Sequence, residues 1–296
     1  QSLALVQEYQ AHLCVAAIAL HQITSPASIK HQLDLLLRRC QTEQQTLLIG
    51  EVDEHTLTNW DHWRDRLGDV LKHGGIQLYA QPLFNDKGDC IQKEIHCRLP
   101  MEGDEPLLAG YFWPMVEKLN LTVAFDQLVI EKWAEYFQSQ PSPEDWVLNV
   151  SGKSLADADF RLWLESHLSD QQKAALIIEF SEYALVHSSK DTQQWLASIT
   201  SQGVRLSVDH IGTTGKGFGF LARFPLHQGK VERRFIRNIN QQKENRFFVS
   251  GMVKVFHSQN TLCFAEGVET ELEKTTLQEL NVDGVMGYGL AKPYQL

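Results

Sequence analysis

No apolar stretch of this 296-residue chain approaches the roughly 20 residues needed to cross a bilayer, and its start, Gln1-Ser2-Leu3, lacks the positive charge of a signal peptide. The chain as it stands reads as soluble and cytoplasmic. Basic residues are in deficit: 27 Lys and Arg against 37 Asp and Glu leave a formal charge of -10. That balance excludes a wholesale nucleic-acid surface, because phosphate backbones want a basic face. Cysteine is scarce and unpatterned. The five present, Cys14, Cys40, Cys90, Cys97 and Cys263, are odd in number and contain no CxxC pair. Reduced thiols fit that usage better than a disulfide framework or a zinc ribbon. There is no low-complexity tract and no short repeat.

What remains is ordinary globular material, 43 % hydrophobic and 22 % charged. The length leaves room for one large domain of about 200 to 250 residues and a smaller piece. From about Ile76 onward, short apolar runs alternate with segments of helical period. Strands are expected over 76–81, 91–98, 146–150, 176–180, 204–209, 261–265 and 283–286. Helices are expected over 158–168, 189–202, 244–257 and 271–280, with two more between Tyr111 and Gln138 broken near Leu119-Asn120-Leu121. This repetition predicts an α/β fold with a parallel sheet closed into a TIM-like (β/α) barrel. An open doubly wound sheet is the alternative.

Residues 1–73 read differently. Leu13 to Leu20 and Thr46 to Val52 look like strands, Ile29 to Cys40 like an amphipathic helix and Asn59 to Lys72 like a linking helix. This is a small N-terminal α/β segment, with His73-Gly74-Gly75 as the boundary to a domain over 74–296. Trp60, Trp63 and Trp195 at helical positions read as core.

Asn149, Glu179 and Asp209 lie thirty residues apart, each at or beside the end of an apolar run, and Glu266 follows Leu262-Cys263-Phe264-Ala265 in the same way. Strand ends of parallel barrels converge on one mouth, so these oxygen-bearing side chains are candidates for one pocket.

The order of motifs is specific. Tyr79-Ala80-Gln81-Pro82-Leu83 is followed by Glu94-Ile95-His96-Cys97-Arg98, Leu148-Asn149-Val150-Ser151, Glu179-Phe180-Ser181-Glu182 and Asp209-His210-Ile211-Gly212-Thr213. Lys230-Val231-Glu232, Ala265-Glu266-Gly267-Val268-Glu269-Thr270 and Met286-Gly287-Tyr288 with Lys292-Pro293 complete the series. Over about 75–296 this pattern resembles the EAL family of bacterial cyclic-di-GMP phosphodiesterases. The resemblance implies a barrel whose mouth binds two Mg2+ or Mn2+ ions through Glu94, Asn149, Glu179 and Asp209. It implies that Lys230 orients a water, Glu266 assists at the metals and Glu182 braces the loop after Asp209. Gln81 and Arg98 would contact guanine and phosphate. Oxygen ligands suit such hard cations, and a metal pair can ready a water and hold a phosphodiester in line.

Several positions depart from the family. His210 stands where a second Asp reaches the second metal, and imidazole brings no negative charge and prefers softer ions. Met286 replaces a glutamine expected at the pocket rim, Ile95-His96 replaces Ala-Leu, and Gly212 to Gly217 departs from the family loop. Together these predict a degenerate site with weakened metal binding. Gly215-Lys216 does not make a P-loop, which would need Gly at 210 and a hydroxyl at 217, where the chain has His210 and Gly217.

Within the family, Glu94 to Arg98, Tyr111 to Leu119, Phe160 to Leu168 and Arg237-Asn238-Ile239 through Glu244-Asn245 look most like the CsrD group and its MshH relatives. That resemblance implies the cytoplasmic part of a membrane-anchored regulator, with residues 1–73 as the tail of a degenerate GGDEF domain. Its function would be noncatalytic control of regulatory RNA turnover. Protein partners would be a phosphotransfer protein like EIIA-Glc or the RNA-decay machinery, with residual cyclic-di-GMP binding and a homodimer as further contacts. The Phe112-Trp113-Pro114 region is similar to LapD-like receptors, a second inactive type. An active phosphodiesterase yielding pGpG is the alternative function. Arg223, Arg233, Arg234, Arg237 and Arg246 could meet RNA or an acidic partner, but without interleaved aromatics they read better as a solvated helix face.

Overall fold

The computed structural model describes residues 15–19, 47–51, 60–101, 105–211 and 217–296. The chain forms two compact units, Gln1–Asp69 and Val70–Leu296. In the first, β1 (Val15–Ala19) and β2 (Leu47–Glu51) pair in parallel with Ala17 opposite Ile49. Helix α1 (Trp60–His73) crosses from the first unit into the second, so the division falls a little before His73-Gly74-Gly75. The expected helix over 29–40, the loop 212–216 and the side chain of Trp60 lie outside the described residues. Trp63 and Trp195 are buried.

The second unit opens with the hairpin β3 (Gln77–Asn85) and β4 (Cys90–Leu99), then β5 (Leu107–Leu108), α2 (Ala109–Lys118) and α3 (Thr122–Ser139). Next come β6 (Asp145–Asn149), α4 (Gly152–Ala156), α5 (Ala158–His167), α6 (Asp170–Ala175) and β7 (Leu176–Ser181). They lead to α7 (Glu182–Val186), α8 (Lys190–Ser201), β8 (Arg205–Asp209), β9 (Gln228–Val231) and α9 (Arg233–Ile236). The series ends with α10 (Lys243–His257), β10 (Leu262–Ala265), α11 (Glu271–Glu279), β11 (Gly284–Val285) and β12 (Tyr294–Gln295).

Pairing runs β3-β4-β6-β7-β8-β9-β10-β11 and returns to β3, closing a barrel. An open sheet is thereby set aside. Strands β4, β6, β7, β8, β9, β10 and β11 pair in parallel around the wall, whereas β3 is antiparallel to both its wall neighbours, as the short β5 is to β4. A uniformly parallel reading therefore fails at one strand. The reason is connection length: a parallel neighbour needs a crossover of about a dozen residues or more, and only residues 86–89 separate β3 from β4. Asn85 instead makes a tight turn, its side-chain oxygen accepting from the Lys87 and Asp89 amides at 3.0 and 2.9 Å, with Gly88 at φ 86°.

The walls follow from composition. Leu176 through Phe180 of β7 are all buried, as a strand covered on both faces requires. The outer helices start on side-chain caps: Ser189 accepts from the Thr192 amide at 3.1 Å, and Thr270 with Glu273 forms a capping box on α11. The break between α2 and α3 falls at Asn120, which takes φ 56°.

β9 was not foreseen. Its sequence, Gln-Gly-Lys-Val, has no apolar run, yet all four residues are buried. Gly229 is required by close approach, since a Cβ there would lie 2.4 Å from the Phe256 ring. β5 and β12 were not anticipated either, being two residues each.

Candidate ligand and metal site at the barrel mouth

In the wall, β4 and β9 are separated by β6, β7 and β8, so a side-chain hydrogen bond between them must cross the lumen. Two such layers exist. Gln92 and Gln228 exchange amide hydrogen bonds at 2.6 and 3.0 Å, both buried. Two residues further along each strand, on the same inward face, Lys230 Nζ donates to Glu94 Oε2 at 2.5 Å and to Glu179 Oε2 at 2.8 Å. Asn149 Nδ2 donates to Glu94 Oε1 at 2.9 Å, and Ser207 Oγ to Glu179 Oε1 at 2.7 Å. Every carboxylate oxygen of Glu94 and Glu179 thus accepts from a protein donor.

The electrostatics follow from two acids sharing one ammonium in a dry lumen. Burial alone would raise Glu94, but Lys230, His96 and the Asn149 amide outweigh it and hold the carboxyl down at about 2. Glu179 is pushed up to about 7, by burial first and then by the charges of Glu94 and Asp209, against the pull of Lys230. Burial opposes the charge of Lys230, yet the surrounding carboxylates drive its pKa well above the ordinary lysine value.

Nearer solvent, Asp209 ends β8 and Glu266 follows β10. Burial, with the nearby charge of Asp209, pushes Glu266 up to about 8. His210 has φ 57°, a left-handed conformation in which histidine is over-represented among side-chain-bearing residues. Its amide donates to Asp209 Oδ1 at 2.6 Å, and its Nδ1 lies 2.7 Å from Asp209 Oδ2. That contact with Asp209 raises the imidazole to about 9, against partial burial and with help from Glu266 and Glu232. One ligand atom each from Asp209, His210 and Glu266 falls within 4.8 Å of the others.

The remaining expected residues are placed as follows. Gln81 is buried at the rim, with His96 Nε2 at 3.2 Å from its Oε1. The Arg98 guanidinium lies over the Tyr79 ring at 3.7 Å, and its buried Nε has no hydrogen-bond partner. Glu182 is buried in the first turn of α7, while the loop it was expected to brace lies outside the described residues. Met286 is buried and packs with Leu83 and Phe264 in an apolar cluster. Among the basic residues, Arg233 pairs with Glu269, Arg234 with Glu232 and Arg246 with Glu279, while Phe235 stacks on Phe248 at 4.0 Å. These pairs favour the solvated face.

Ser207 and the Gln92–Gln228 pair were missed. Ser207 carries a signal, since it precedes Asp209 by two residues and so shares its face of the strand. Asp126 was also missed. It is buried on α3, accepts from the Ser151 amide at 2.9 Å and the Ser154 hydroxyl at 2.6 Å, and is pushed up by burial to about 6. A cavity of about 490 Å3 opens here, with His96, Trp113, Asn149, Ser181 and His210 in its lining. A larger one of about 640 Å3 lies between α3, α5 and α6, lined by other residues such as Glu131, Gln138 and His167.

Oxygen ligands for a divalent ion are present in both layers: Glu94 and Glu179 share the Lys230 ammonium, and Asp209 and Glu266 lie near His210.

Known proteins resemble this chain over the same region. The RNase E specificity factor CsrD of Escherichia coli is 26% identical over 228 residues, covering 76% of this chain and 35% of that protein. The cyclic di-GMP phosphodiesterase PdeF of the same organism is 27% identical over 237 residues, covering 78% and 32%. The chain thus spans about a third of the length of these relatives. Among solved structures, the FimX EAL domain from Pseudomonas aeruginosa bound to c-di-GMP superposes with TM-score 0.73 at 21% identity, covering 79% of this chain and 97% of that one. Vibrio cholerae LapD S helix-GGDEF-EAL bound to c-di-GMP superposes with TM-score 0.77 at 18% identity, covering 91% and 67%. At those identities the likeness is one of fold. Residues 61–293 match the defining pattern of the EAL domain, and the chain belongs to that family.

Proposed function

We propose that this domain is a nonhydrolytic regulator that binds cyclic-di-GMP at the barrel mouth and signals through a protein partner. One observation carries the reading: all four oxygens of Glu94 and Glu179 accept from Asn149, Ser207 and the Lys230 ammonium. A hydrolytic metal pair holds both the attacking and the leaving oxygen, and an ion at Glu94 and Glu179 would have to compete with the Lys230 ammonium that lies between them. His210 further replaces a charged ligand by an imidazole. A divalent ion bound to Asp209, His210 and Glu266 would supply positive charge for a phosphate oxygen. The residues themselves provide the rest. The cavity lined by Trp113 and His96 offers ring faces for a base, and Arg98, opposite Gln77 in the β3–β4 hairpin, is a further cation.

CsrD and LapD-like proteins are the relatives whose mode of action this reading extends to the chain, with a phosphotransfer protein or RNA-decay component as the partner class. The N-terminal unit then belongs to a degenerate GGDEF domain. The test is incubation of the purified protein with cyclic-di-GMP and Mn2+, with calorimetry in parallel. Heat of binding without linear pGpG is expected.

A second reading, an active Mg2+- or Mn2+-dependent phosphodiesterase, is favoured by the convergence of Glu94, Asn149, Glu179, Asp209, Lys230 and Glu266 on one mouth. Turnover to pGpG that Glu94→Ala abolishes would establish it and end the first.

A further inference from the structure

The cavity of about 640 Å3 between α3, α5 and α6 lies at the end of the barrel away from the mouth. Its place follows from the connections. Of its lining residues, Pro141 precedes β6 and Ser169 precedes α6 and β7, so it opens where these strands begin, whereas Asn149 stands where β6 finishes. The four strand steps from Asp145 to Asn149 put roughly 13 Å of β6 between the two ends. Filling one end leaves the other open.

The walls of this cavity are tied together. Gln172 of α6 donates from Nε2 to the Ala134 carbonyl of α3 at 3.0 Å, and its Oε1 accepts from the Ser169 amide at 2.9 Å. Ala134 and Phe137 contribute buried apolar lining. On α5, Trp163 stacks on His167 with ring centroids 4.8 Å apart, and the preceding Leu162 is 67 % exposed. An apolar side chain left in water next to a grooved surface suits contact with another chain.

The charge of the lining is one-sided. Glu131 and Glu135 lie one turn apart on α3, a spacing at which like charges repel. Lys132 Nζ lies 3.3 Å from Glu135, while Glu131 has no ion-pair partner among the described residues. No lysine or arginine lines the cavity. A bound cation relieves the repulsion and a bound anion adds to it. The formal charge of -10 also draws basic segments to the chain as a whole. Gln138 and Gln171 are exposed in the lining, and their amides can both donate to and accept from the main chain of a bound segment.

We propose that this groove docks a basic segment of a partner protein, with Lys or Arg side chains on Glu131 and Glu135 and an apolar side chain against Phe137. The proposal rests on the reading of the domain as a regulator that acts through a protein partner, and it names the surface and the chemistry that hold that partner. Dinucleotide and partner then occupy opposite ends of one barrel, joined by β6 and β7.

The experiment titrates the full chain, without dinucleotide, into a fluorescein-labelled peptide of leucine and lysine and into its leucine and glutamate counterpart of the same length and pattern. Fluorescence anisotropy is the readout. Saturable binding of the lysine peptide is expected, one per chain, with no binding of the glutamate peptide. Glu131→Gln combined with Glu135→Gln should weaken it by about tenfold or more, and Gln138→Arg, which puts a cation into the lining, by a similar factor. Glu279→Gln removes a carboxylate elsewhere on the surface, where it pairs with Arg246, and should leave the affinity unchanged. Amide resonances of Ala134, Gln138 and Ser169 should shift in the unsubstituted chain, which keeps the test decisive if a variant fails to fold. Absence of binding, equal binding of the glutamate peptide, indifference to the Glu131 and Glu135 changes, or equal weakening by Glu279→Gln would each overturn the assignment. Spermine binding as tightly as the peptide would also overturn it, in favour of a small-cation site. Failure here leaves dinucleotide binding at the mouth to its own calorimetry, and failure of that binding leaves the groove assignment standing.

Discussion

Lys230 sits fully buried between Glu94 and Glu179, so its removal leaves two carboxylates in a low-dielectric lumen without a cation. Lys230→Met should cost about 3–5 kcal/mol in urea unfolding at pH 7.5, the scale for breaking a buried ion pair. The loss should shrink as the pH is lowered. With the cation gone, burial raises both folded-state pKa values above the unfolded ones, and a raised carboxyl pKa contributes stability at low pH that is lost as pH rises through it. A variant whose stability falls further on acidification than the parent's would contradict this. Asp126 offers a second pH test. Its folded value of about 6 lies above the ordinary aspartate value of 3.8, so its contribution to stability is complete below about 4 and lost as pH rises through about 6. Asp126→Asn should therefore flatten the stability profile between pH 4 and 6. Its advantage at pH 7 is on the order of 1–3 kcal/mol, reduced because the new amide N–H lacks an identified acceptor. The positions of Asn149, Glu179 and Asp209 were legible at this scale because each ends or adjoins an apolar run, whereas Glu94, preceded by Gln92-Lys93, was carried by the family resemblance alone. Lys230's grip on Glu94 and Glu179 was not legible, since it depends on distances across the lumen.

At the level of elements, β9 shows where periodicity stops being informative. A wall strand is recognised by its apolar run, but β9 spends its inward positions on Gln228 and Lys230 and reduces one position to glycine. Gly229→Ala places a methyl group against Phe256 and Ile211 and should destabilise by about 1–3 kcal/mol through overpacking. Calorimetric melting of the single variant and of Gly229→Ala with Phe256→Leu checks this, since the smaller partner should recover part of the loss. Gln92 and Gln228 join β4 to β9 without sharing an edge. Replacing either by Leu strands a buried amide, whereas replacing both removes the need for a partner. The double variant should be more stable than the sum of the singles by about 1–2 kcal/mol in a double-mutant cycle. Direction along β3 was likewise hidden from strand patterning and visible only in the shortness of the connection through Asn85 and Gly88.

On the scale of the whole molecule, strand count and alternation carried the barrel, because buried wall strands and helical connections leave a strong periodic signal. The last wall strand, expected over 283–286, is β11 (Gly284–Val285), and what the sequence did not show is that it closes on β3 in the antiparallel sense. No described helix is long and apolar enough to cross a membrane. The lumen's neutralisation by Lys230 makes a further prediction. Chelation should leave the near-ultraviolet circular dichroism and the melting temperature of the chain intact. A chain that unfolds with chelator would show that its acids need an external ion. A barrel that supplies its own counter-ion can be synthesised and kept intact under mineral scarcity. Occupancy of the mouth is then released from any structural duty, and its filling or emptying can serve purely as information.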